Sequence, residues 1–283
     1  MMNRRNAMAI RRNRWLAAAV AALLAFVFVA LAGGCGMPSL TGGNGTLTVG
    51  VRADVMGFGY YNEKTHKYYG MEIDLANEMA DRMGYSDVKF VTVTPDTRKE
   101  MLQNGQVDAL VACYSISDHR KENVDFSPAY YTSTVQMMVE NSSLITDING
   151  LKGRYIGTRA GTDTAAILVK KLAEIGFSDG NPLQANDDNS DVQFDNFHLL
   201  QYPSYQELSD ALESGAVGAI ALDSAIAKTY LNDERSTLSD FSINPEEYGV
   251  ATKKDSALSA TVTTTIQNML DDGTINRFID KWD

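Results

Sequence analysis

Short apolar, β-branched runs alternate with amphipathic segments from residue 46 onward. Segment 72–83 has helical spacing, because Leu75, Ala76 and Met79 recur at intervals of three and four and Gly84 follows as a stop. The same criteria predict strands at 47–51, 89–93, 109–113, 155–158 and 219–222, and further helices at 96–104, 164–175, 205–214, 258–270 and ending at Trp282. This alternation predicts an α/β fold with largely parallel sheets.

Two segments, 104–109 and 214–219, share one pattern in which a glycine ends a helix and a strand follows. The repetition predicts two similar lobes, each with its own sheet. Segment 178–196 is polar and acidic, and it predicts a surface excursion. In open α/β sheets, ligands bind beyond the carboxyl ends of the strands. The residues that follow the predicted strands are therefore the candidate binding site.

The first 34 residues have the composition of a secretory signal. Five arginines and no acids accompany an 18-residue apolar run that ends at Ala32, and Gly33, Gly34 and Cys35 follow. A permanent membrane helix is the alternative, since 18 apolar residues are long enough to span. Segment 31–35 resembles the lipobox of bacterial lipoproteins, which implies a signal peptide at 1–34 and a lipidated Cys35. The Gly-, Ser- and Thr-containing segment 35–45 predicts a flexible tether.

Charge and cysteine content exclude several classes of partner. The predicted signal holds five of the 25 basic and none of the 36 acidic residues, so its removal leaves a net charge of −16. Such a chain is repelled by nucleic acid, and no nucleic-acid partner is expected. With Cys35 lipidated, Cys113 stands alone. The three histidines show no metal-ligand spacing, so neither a metal nor a cofactor is predicted.

Residues that suit an α-amino acid follow four of the predicted strands. An arginine guanidinium matches a carboxylate through two hydrogen bonds, a helix-opening glycine–threonine turn adds N–H donors, and an aspartate suits an ammonium group. Each feature alone has an ordinary explanation, such as a surface charge or a helix cap. Their common placement at strand ends favours a ligand site, and the residues are Arg52; Tyr114, Ser115 and Arg120; Gly161, Thr162, Asp163 and Thr164; and Asp223.

Several ordered motifs between Leu47 and Trp282 resemble family 3 bacterial solute-binding proteins, the amino-acid receptors of ABC importers. They are VGVR at 49–52, GMEIDLA at 70–76, LQNGQVD at 102–108, SISDHR at 115–120, DFSPAYY at 125–131, LKG at 151–153, Gly157 with Gly161 and Thr162, YGV at 248–250, and Gly273 with Lys281 and Trp282. The resemblance implies a two-lobed type II periplasmic-binding-protein fold, each lobe a mostly parallel sheet flanked by helices. Two crossing strands near Tyr131 and Val250 would form the hinge. Lobe 1 is then 46–131 with 251–283, and lobe 2 is 132–250.

The resemblance also implies roles for individual residues. Arg120 corresponds to the clamp for the ligand α-carboxylate, with Ser115 as a hydroxyl donor beside it, and Asp223 corresponds to the acid that binds the α-ammonium. The turn from Thr162 to Thr164 supplies the second-lobe carboxylate contact, with Thr164 preferred because Asp163 would repel a carboxylate. Phe58, Tyr60 or Tyr114 replaces the usual aromatic floor, and Tyr205 completes the predicted ligand-binding set.

The predicted ligand is aspartate or glutamate. Relatives that bind these acids resemble this chain at Arg52 and Arg98, and two cations in one pocket favour a second carboxylate. The alternatives are a surface ion pair of Arg98 with Asp96 or Glu100, and a receptor for glutamine, another polar amino acid or cystine. A remote alternative is a cyclohexadienyl-dehydratase-like enzyme with Asp163 as proton donor. A sensory module is a third class. The expected partners are an amino acid, an ABC permease and the membrane that holds the lipid, on the extracytoplasmic side.

Overall fold

The computed structural model describes residues 45–282, apart from the side chain at position 244. The predicted signal peptide, Cys35 and nearly all of the tether lie outside these residues. Within residues 45–282, no helix combines the length and the apolar character that crossing a membrane requires. In the same range, no cluster of three or more His, Cys, Asp or Glu side chains has the arrangement of a metal site.

Strands and helices alternate through most of the described chain, as the sequence predicts. The strands are β1 (Thr46–Val51), β2 (Asp54–Val55), β3 (Gly59–Asn62), β4 (Lys67–Tyr69), β5 (Asp87–Thr92), β6 (Ala109–Val111), β7 (Val124–Glu140), β8 (Arg154–Arg159), β9 (Gln184–Ala185), β10 (Asp191–Gln193), β11 (Phe197–Tyr202), β12 (Ala219–Asp223) and β13 (Arg235–Lys253). The helices are α1 (Met71–Arg82), α2 (Arg98–Gln103), α3 (Asp118–Lys121), α4 (Thr164–Glu174), α5 (Tyr205–Glu213), α6 (Ser224–Tyr230), α7 (Ala257–Asp271) and α8 (Thr274–Trp282).

Ten strands form one continuous sheet in the order β5-β1-β6-β13-β7-β12-β8-β11-β10-β9, and β2, β3 and β4 form a small antiparallel sheet. At one end, β1 lies parallel between β5 and β6. At the other end, β8 lies parallel between β11 and β12. The predicted α/β class is thus confirmed, but the two parallel groups of strands belong to one mixed sheet and do not form two separate sheets. The two groups are joined through the antiparallel pair β7 and β13 in the middle.

The two joining strands are long, with 17 residues in β7 and 19 in β13. Near its C-terminal end, β13 pairs with β6 at Ala251. In its C-terminal half, β7 pairs with β12 from Val135 onward. Their register shifts at several points, including between Ile243 and Glu246 and after Tyr248. Such irregularities bend a strand and increase its local twist. These are the two crossing strands that the family resemblance implies.

The C-terminal helices pack on the first part of the chain. Arg82, at the end of α1, donates from Nη1 to Asp272 at 2.7 Å. Trp282 Nε1 donates to the Asp74 carboxylate at 2.7 Å. The buried face of α1 includes Leu75, Ala76 and Met79, as the helical spacing predicts. Helix α1 and the C-terminal residues Asp272 and Trp282 therefore belong to the same part of the structure.

The repeated helix–glycine–strand pattern has the same geometry in both places. Gly105 has a φ of +70° and Gly215 a φ of +73°, and each directly follows the capping residue of a helix. Glycine at this position adopts the left-handed conformation without a Cβ penalty. The pattern thus marks corners of the same geometry before β6 and β12, and the division into two similar lobes stays a prediction.

Most residues of segment 178–196 are exposed, in line with the predicted surface excursion, but the segment also has regular structure. It contains β10, which pairs antiparallel with β11, and β9, which pairs antiparallel with β10 and forms the edge of the sheet. Val192 and Phe194 are buried, and the Phe194 ring stacks on Phe197 at 4.6 Å between centroids. The sequence pattern does not predict that Val192 and Phe194 are buried, because most of the residues around them are polar and exposed.

Candidate ligand-binding site

Three buried arginines converge at the ends of elements in the first part of the chain. Arg52 directly follows β1, Arg98 begins α2 and Arg120 lies in α3; their exposed fractions are 1%, 3% and 8%. We call them the arginine cluster. Burial, together with the positive charges of Arg120 and Arg52, lowers the pKa of Arg98 to about 10. The charge of Arg98 is therefore disfavoured within the cluster, and a nearby anion would stabilise it.

Arg52 has its own acidic partner. Its Nε and Nη2 atoms donate to the two carboxylate oxygens of Asp54 at 2.9 and 2.7 Å. The guanidinium carbon also lies 5.3 Å from the centre of the Tyr205 ring. Because the fork of Arg52 is occupied by Asp54, this arginine contributes less unbalanced charge than its sequence position predicts.

Arg98 has no carboxylate within ion-pair distance among residues 45–282. Its Nη1 donates to the carbonyl oxygens of Ala112 and Cys113 at 2.9 and 3.2 Å, and its Nε has no hydrogen-bond partner. Arg98 is buried, so the alternative of a surface ion pair with Asp96 or Glu100 is wrong for this structure. Within the described residues, Nε of Arg98 is thus a buried donor without an acceptor.

Tyr114 separates the two remaining guanidinium groups. The guanidinium carbon of Arg98 lies 4.2 Å from the centre of the Tyr114 ring, and that of Arg120 lies 4.5 Å from it. A tyrosine ring stabilises cations placed over its faces. The structure thus shows Tyr114 in contact with two arginines of the cluster, whereas the sequence predicts it as an aromatic floor for the ligand. Whether it also contacts the ligand stays a prediction.

Arg120 contacts both the segment that follows β6 and the turn that follows β8. We call the region between these two segments the cleft. The Nη1 atom of Arg120 donates to the Ser115 carbonyl oxygen at 2.9 Å, and its Nη2 lies 3.1 Å from Asp163 Oδ1. The second carboxylate oxygen, Asp163 Oδ2, is buried without a hydrogen-bond partner. In this turn, Thr162 Oγ1 donates to the Arg159 carbonyl oxygen at 2.7 Å. The contact from this turn to Arg120 is therefore made by Asp163.

A second ion pair joins the same two parts of the chain. Arg159, at the end of β8, donates from Nη2 to Asp96 Oδ2 at 2.7 Å. Gly161 lies so close to Asp96 that a Cβ at this position would be 2.4 Å from Asp96 Oδ1. The turns before α2 and α4 are thus in direct contact, and this contact narrows the cleft.

The acidic side of the cleft lies at the end of β12. Asp223 is 6% exposed, and its Oδ2 accepts a hydrogen bond from the Tyr248 hydroxyl at 2.8 Å, while Oδ1 has no donor. Burial and the neighbouring Glu246 carboxyl raise the pKa of Asp223 to about 8, although Tyr248 and Arg98 act in the opposite direction. An ammonium group beside Asp223 would supply the missing donor and favour its charged form.

Two cavities flank the contact between Arg120 and Asp163. The first, of about 430 Å³, is lined by residues that include Arg98, Tyr114, Arg120, Thr162 and Asp163. The second, of about 340 Å³, is lined by residues that include Ser115, Asp163 and Glu246. Both volumes are in the range of small-molecule sites.

Comparison with known proteins identifies the family. Residues 47–283 match the model for bacterial extracellular solute-binding proteins, family 3. The chain belongs to this family. The match spans the fold and every element of the cleft just described, and it confirms the family resemblance of the sequence motifs.

Individual relatives of this family 3 protein differ in their ligands. A glutamine-binding protein of an ABC transporter from Bacillus subtilis (strain 168) is 29% identical over 244 residues, which are 84% of this chain and 81% of that protein. An L-glutamate/L-aspartate-binding protein from Pseudomonas aeruginosa is 27% identical over 253 residues, 84% of this chain and 76% of that protein. The structure of an ancestral arginine-binding protein bound to arginine is 28% identical, with a TM-score of 0.68 over 84% of this chain and 98% of that one.

The nine predicted ligand residues of this family 3 protein fall into two groups. Arg52, Arg98, Arg120, Tyr114, Tyr205 and Asp223 converge on one buried region, as their mutual electrostatic effects and ring contacts demonstrate. The hydroxyl groups of two others already bond to protein atoms: Ser115 Oγ donates to Glu246 at 2.8 Å, and Thr162 Oγ1 donates to the carbonyl oxygen of Arg159. The last, Thr164, is buried at the start of α4. The roles of all nine in ligand binding stay predictions.

Sequence reasoning missed Asp54, Asp163 as the partner of Arg120, and Glu246. Asp54 is two residues from Arg52, and such proximity is a usable signal for an ion pair. Glu246 lies in a polar segment that has no strand pattern, although it belongs to β13 in the structure. Glu246 interacts with Ser115 and Asp223, which are both more than twenty positions away in the sequence.

Proposed function

We propose that this family 3 protein is an extracytoplasmic receptor that binds an amino acid in the cleft and delivers it to an ABC importer. The proposal depends mainly on one observation: the positively charged arginine cluster and the carboxyl group of Asp223 lie in the same buried region. The α-carboxylate would bind at Arg120 and the α-ammonium at Asp223. The relatives named above as glutamine-, glutamate/aspartate- and arginine-binding proteins support an amino acid as the ligand class.

Closure of two lobes would enclose this ligand. We place lobe 1 at 46–131 with 251–283 and lobe 2 at 132–250, with the hinge in β7 and β13. The ion pairs of Arg120 with Asp163 and of Arg159 with Asp96 support this division, since both connect residues of the two lobes. A ligand that touches both lobes would favour the closed form through its differential contacts.

Aspartate or glutamate is the ligand we propose. Arg98 supports this choice, because it is buried and has an unsatisfied Nε atom and no acidic partner among the described residues. Glutamine is the second candidate, since Asp54 already balances Arg52 and a glutamine-binding relative is 29% identical. The enzyme alternative has no support: Asp163 contacts Arg120 at 3.1 Å, and the named relatives are binding proteins.

Calorimetric titration of residues 45–283 with the common amino acids tests the proposal. We expect glutamate or aspartate to bind about 10-fold or more tightly than the corresponding amide, the factor that about 1.4 kcal/mol represents. A ligand carboxylate compensates Arg98 fully, whereas an amide does so only in part. Tighter binding of glutamine, cystine or a basic amino acid would contradict the acidic ligand but not the receptor. No binding of any amino acid would contradict the receptor.

Anchoring through lipidated Cys35 is a separate proposal, supported by the sequence of 31–35. Two acyl chains on this cysteine would hold the protein at the membrane. Mass spectrometry of the native protein should therefore identify an acylated N-terminal Cys35. A Cys35→Ala variant is the matched control, and we expect it to be released from the membrane fraction. A native protein that begins near Met1 would contradict the proposal and favour a membrane helix.

A further inference from the structure

Glu72 belongs to the GMEIDLA motif, but none of the proposed ligand contacts involves it. It lies in the first turn of α1, and its exposed fraction is 0%. Its Oε1 accepts hydrogen bonds from the Cys113 backbone N–H at 2.6 Å and from the Tyr130 hydroxyl. Burial of a carboxyl group is costly unless such bonds compensate for it. The two bonds connect α1 to residues that lie 41 and 58 positions later in the chain.

Cys113, the first of these donors, has an unusual backbone conformation. It lies two positions after the end of β6 and has a φ of +45°, in the left-handed region that residues other than glycine rarely adopt. Its N–H bonds Glu72, and its carbonyl oxygen accepts a hydrogen bond from Arg98 Nη1 at 3.2 Å. Hydrogen bonds on both sides of residue 113 therefore stabilise a conformation that cysteine does not favour by itself.

The conformation of Cys113 sets the direction of the segment that follows β6. Tyr114 comes next, and its ring lies between the guanidinium groups of Arg98 and Arg120. The Ser115 carbonyl oxygen then accepts the hydrogen bond from Arg120 Nη1 at 2.9 Å. A change of φ at residue 113 would move Tyr114 and Ser115 relative to β6, because they follow this residue directly in the chain. The position of the proposed carboxylate clamp thus depends on the backbone at residue 113.

We propose that Glu72 is a positioning residue of the ligand site, which holds Cys113 in the left-handed conformation and thereby places segment 114–120 for the ligand. The inference rests on the proposed amino-acid receptor function and adds to it a residue that does not touch the ligand. Without the acceptor at position 72, residue 113 would relax toward the conformations that cysteine favours. Ligand binding would then have to restore the left-handed conformation, and this cost lowers the affinity of a site that is not preorganised.

A double-mutant cycle of Glu72→Met and Cys113→Gly tests the proposal. Methionine removes the acceptor with a side chain of similar length, and glycine adopts a left-handed φ without a Cβ penalty. Calorimetric titrations of the protein that begins at residue 45 with L-glutamate and L-glutamine measure the affinity, and thermal unfolding verifies that each variant is folded. We expect Glu72→Met to lower the affinity for both amino acids by about 10-fold or more. The same change in a Cys113→Gly protein should cause a clearly smaller loss, because glycine does not need the hydrogen bond.

Asp74→Asn is the matched control for the loss of an acidic side chain from the first turn of α1. The Asp74 carboxylate accepts hydrogen bonds from Lys281 Nζ and Trp282 Nε1, each at 2.7 Å. Its replacement should lower the thermal unfolding temperature and leave the affinity unchanged. Glu72→Gln keeps an oxygen acceptor and should bind both amino acids more tightly than Glu72→Met.

The Cys113 thiol provides an independent measurement, since no other cysteine follows residue 45 in the sequence. Its residue is only 4% exposed, so a maleimide should label it slowly in the wild type and in Asp74→Asn. Labelling should be faster in Glu72→Met, because the segment around residue 113 is then no longer held.

Unchanged affinity in a folded Glu72→Met protein, or an equal loss with cysteine and with glycine at position 113, would overturn the positioning role while leaving the receptor intact. Should Glu72→Met fail to fold, the same cycle is measured with Glu72→Gln, whose neutral oxygen is a weaker acceptor and should give a smaller loss that glycine again reduces. Failure of the wild type to bind any amino acid would instead overturn the proposed function, and the positioning role with it.

Discussion

Replacement of Arg120 with alanine should reduce amino-acid affinity by about 2–5 kcal/mol, or about 30-fold to several thousand-fold. Arg120 is buried, and Tyr114 and the Ser115 carbonyl hold its guanidinium in place. Its removal deprives the ligand carboxylate of the positive charge that we propose binds it. It also leaves the negative charge of Asp163 uncompensated in the cleft, and this charge would repel the same carboxylate.

Calorimetric titration of the variants measures this effect, and thermal unfolding verifies that they are folded. Arg120→Lys should also bind weakly, because an ammonium group cannot reproduce the planar fork. Lys121→Ala is the matched control, since it removes one positive charge from the same helix at an exposed position. Near-wild-type affinity in a folded Arg120→Ala protein would remove Arg120 from the ligand site.

Arg98→Met should erase the preference for acidic over amide ligands, which we expect to be about 10-fold in the wild type. Methionine fills a similar volume but has no positive charge. Binding of the amide should persist, because the proposed contacts of Arg120 with the α-carboxylate and of Asp223 with the α-ammonium would remain. The loss should therefore concern aspartate and glutamate, and paired titrations with glutamate and glutamine measure it as a ratio.

The stability of this variant needs a separate measurement. Arg98 donates to the carbonyl oxygens of Ala112 and Cys113, and their loss should cost about 1–3 kcal/mol of unfolding free energy. Lys89→Met, at an exposed position of β5, is the control for the removal of one positive charge. A folded Arg98→Met protein with an unchanged glutamate-to-glutamine ratio would show that Arg98 has only a structural role.

Local pattern predicts a large part of this fold. Helix α1 follows from the spacing of Leu75, Ala76 and Met79, and the corners at Gly105 and Gly215 follow from a repeated phrase. The arginine cluster is also predictable, because the carboxyl ends of parallel strands converge and each arginine lies shortly after such an end or at the start of a nearby helix. These features depend on residues close together in sequence.

The partners of the charged residues are not predictable in the same way. Arg159 pairs with Asp96, which is 63 positions away, and Ser115 bonds Glu246, which is 131 positions away. Glu246 belongs to a segment rich in polar residues that the apolar criterion excludes from strands. In the structure, pairing with β7 and the buried Tyr248 override that composition.

The packing of the chain's end onto its beginning has a consequence for the order of folding. Strand β6 receives its neighbour β13 at residues 251 and 252, and α1 bonds to residues 190–208 positions later. Contacts between such distant positions form slowly, because a long loop must close first. The β6 edge of the sheet therefore lacks its neighbour β13, and α1 lacks its C-terminal partners, until residues 251–282 are available. Removal of residues 251–282 should therefore leave β6 without one neighbouring strand and α1 without its partners Asp272 and Trp282.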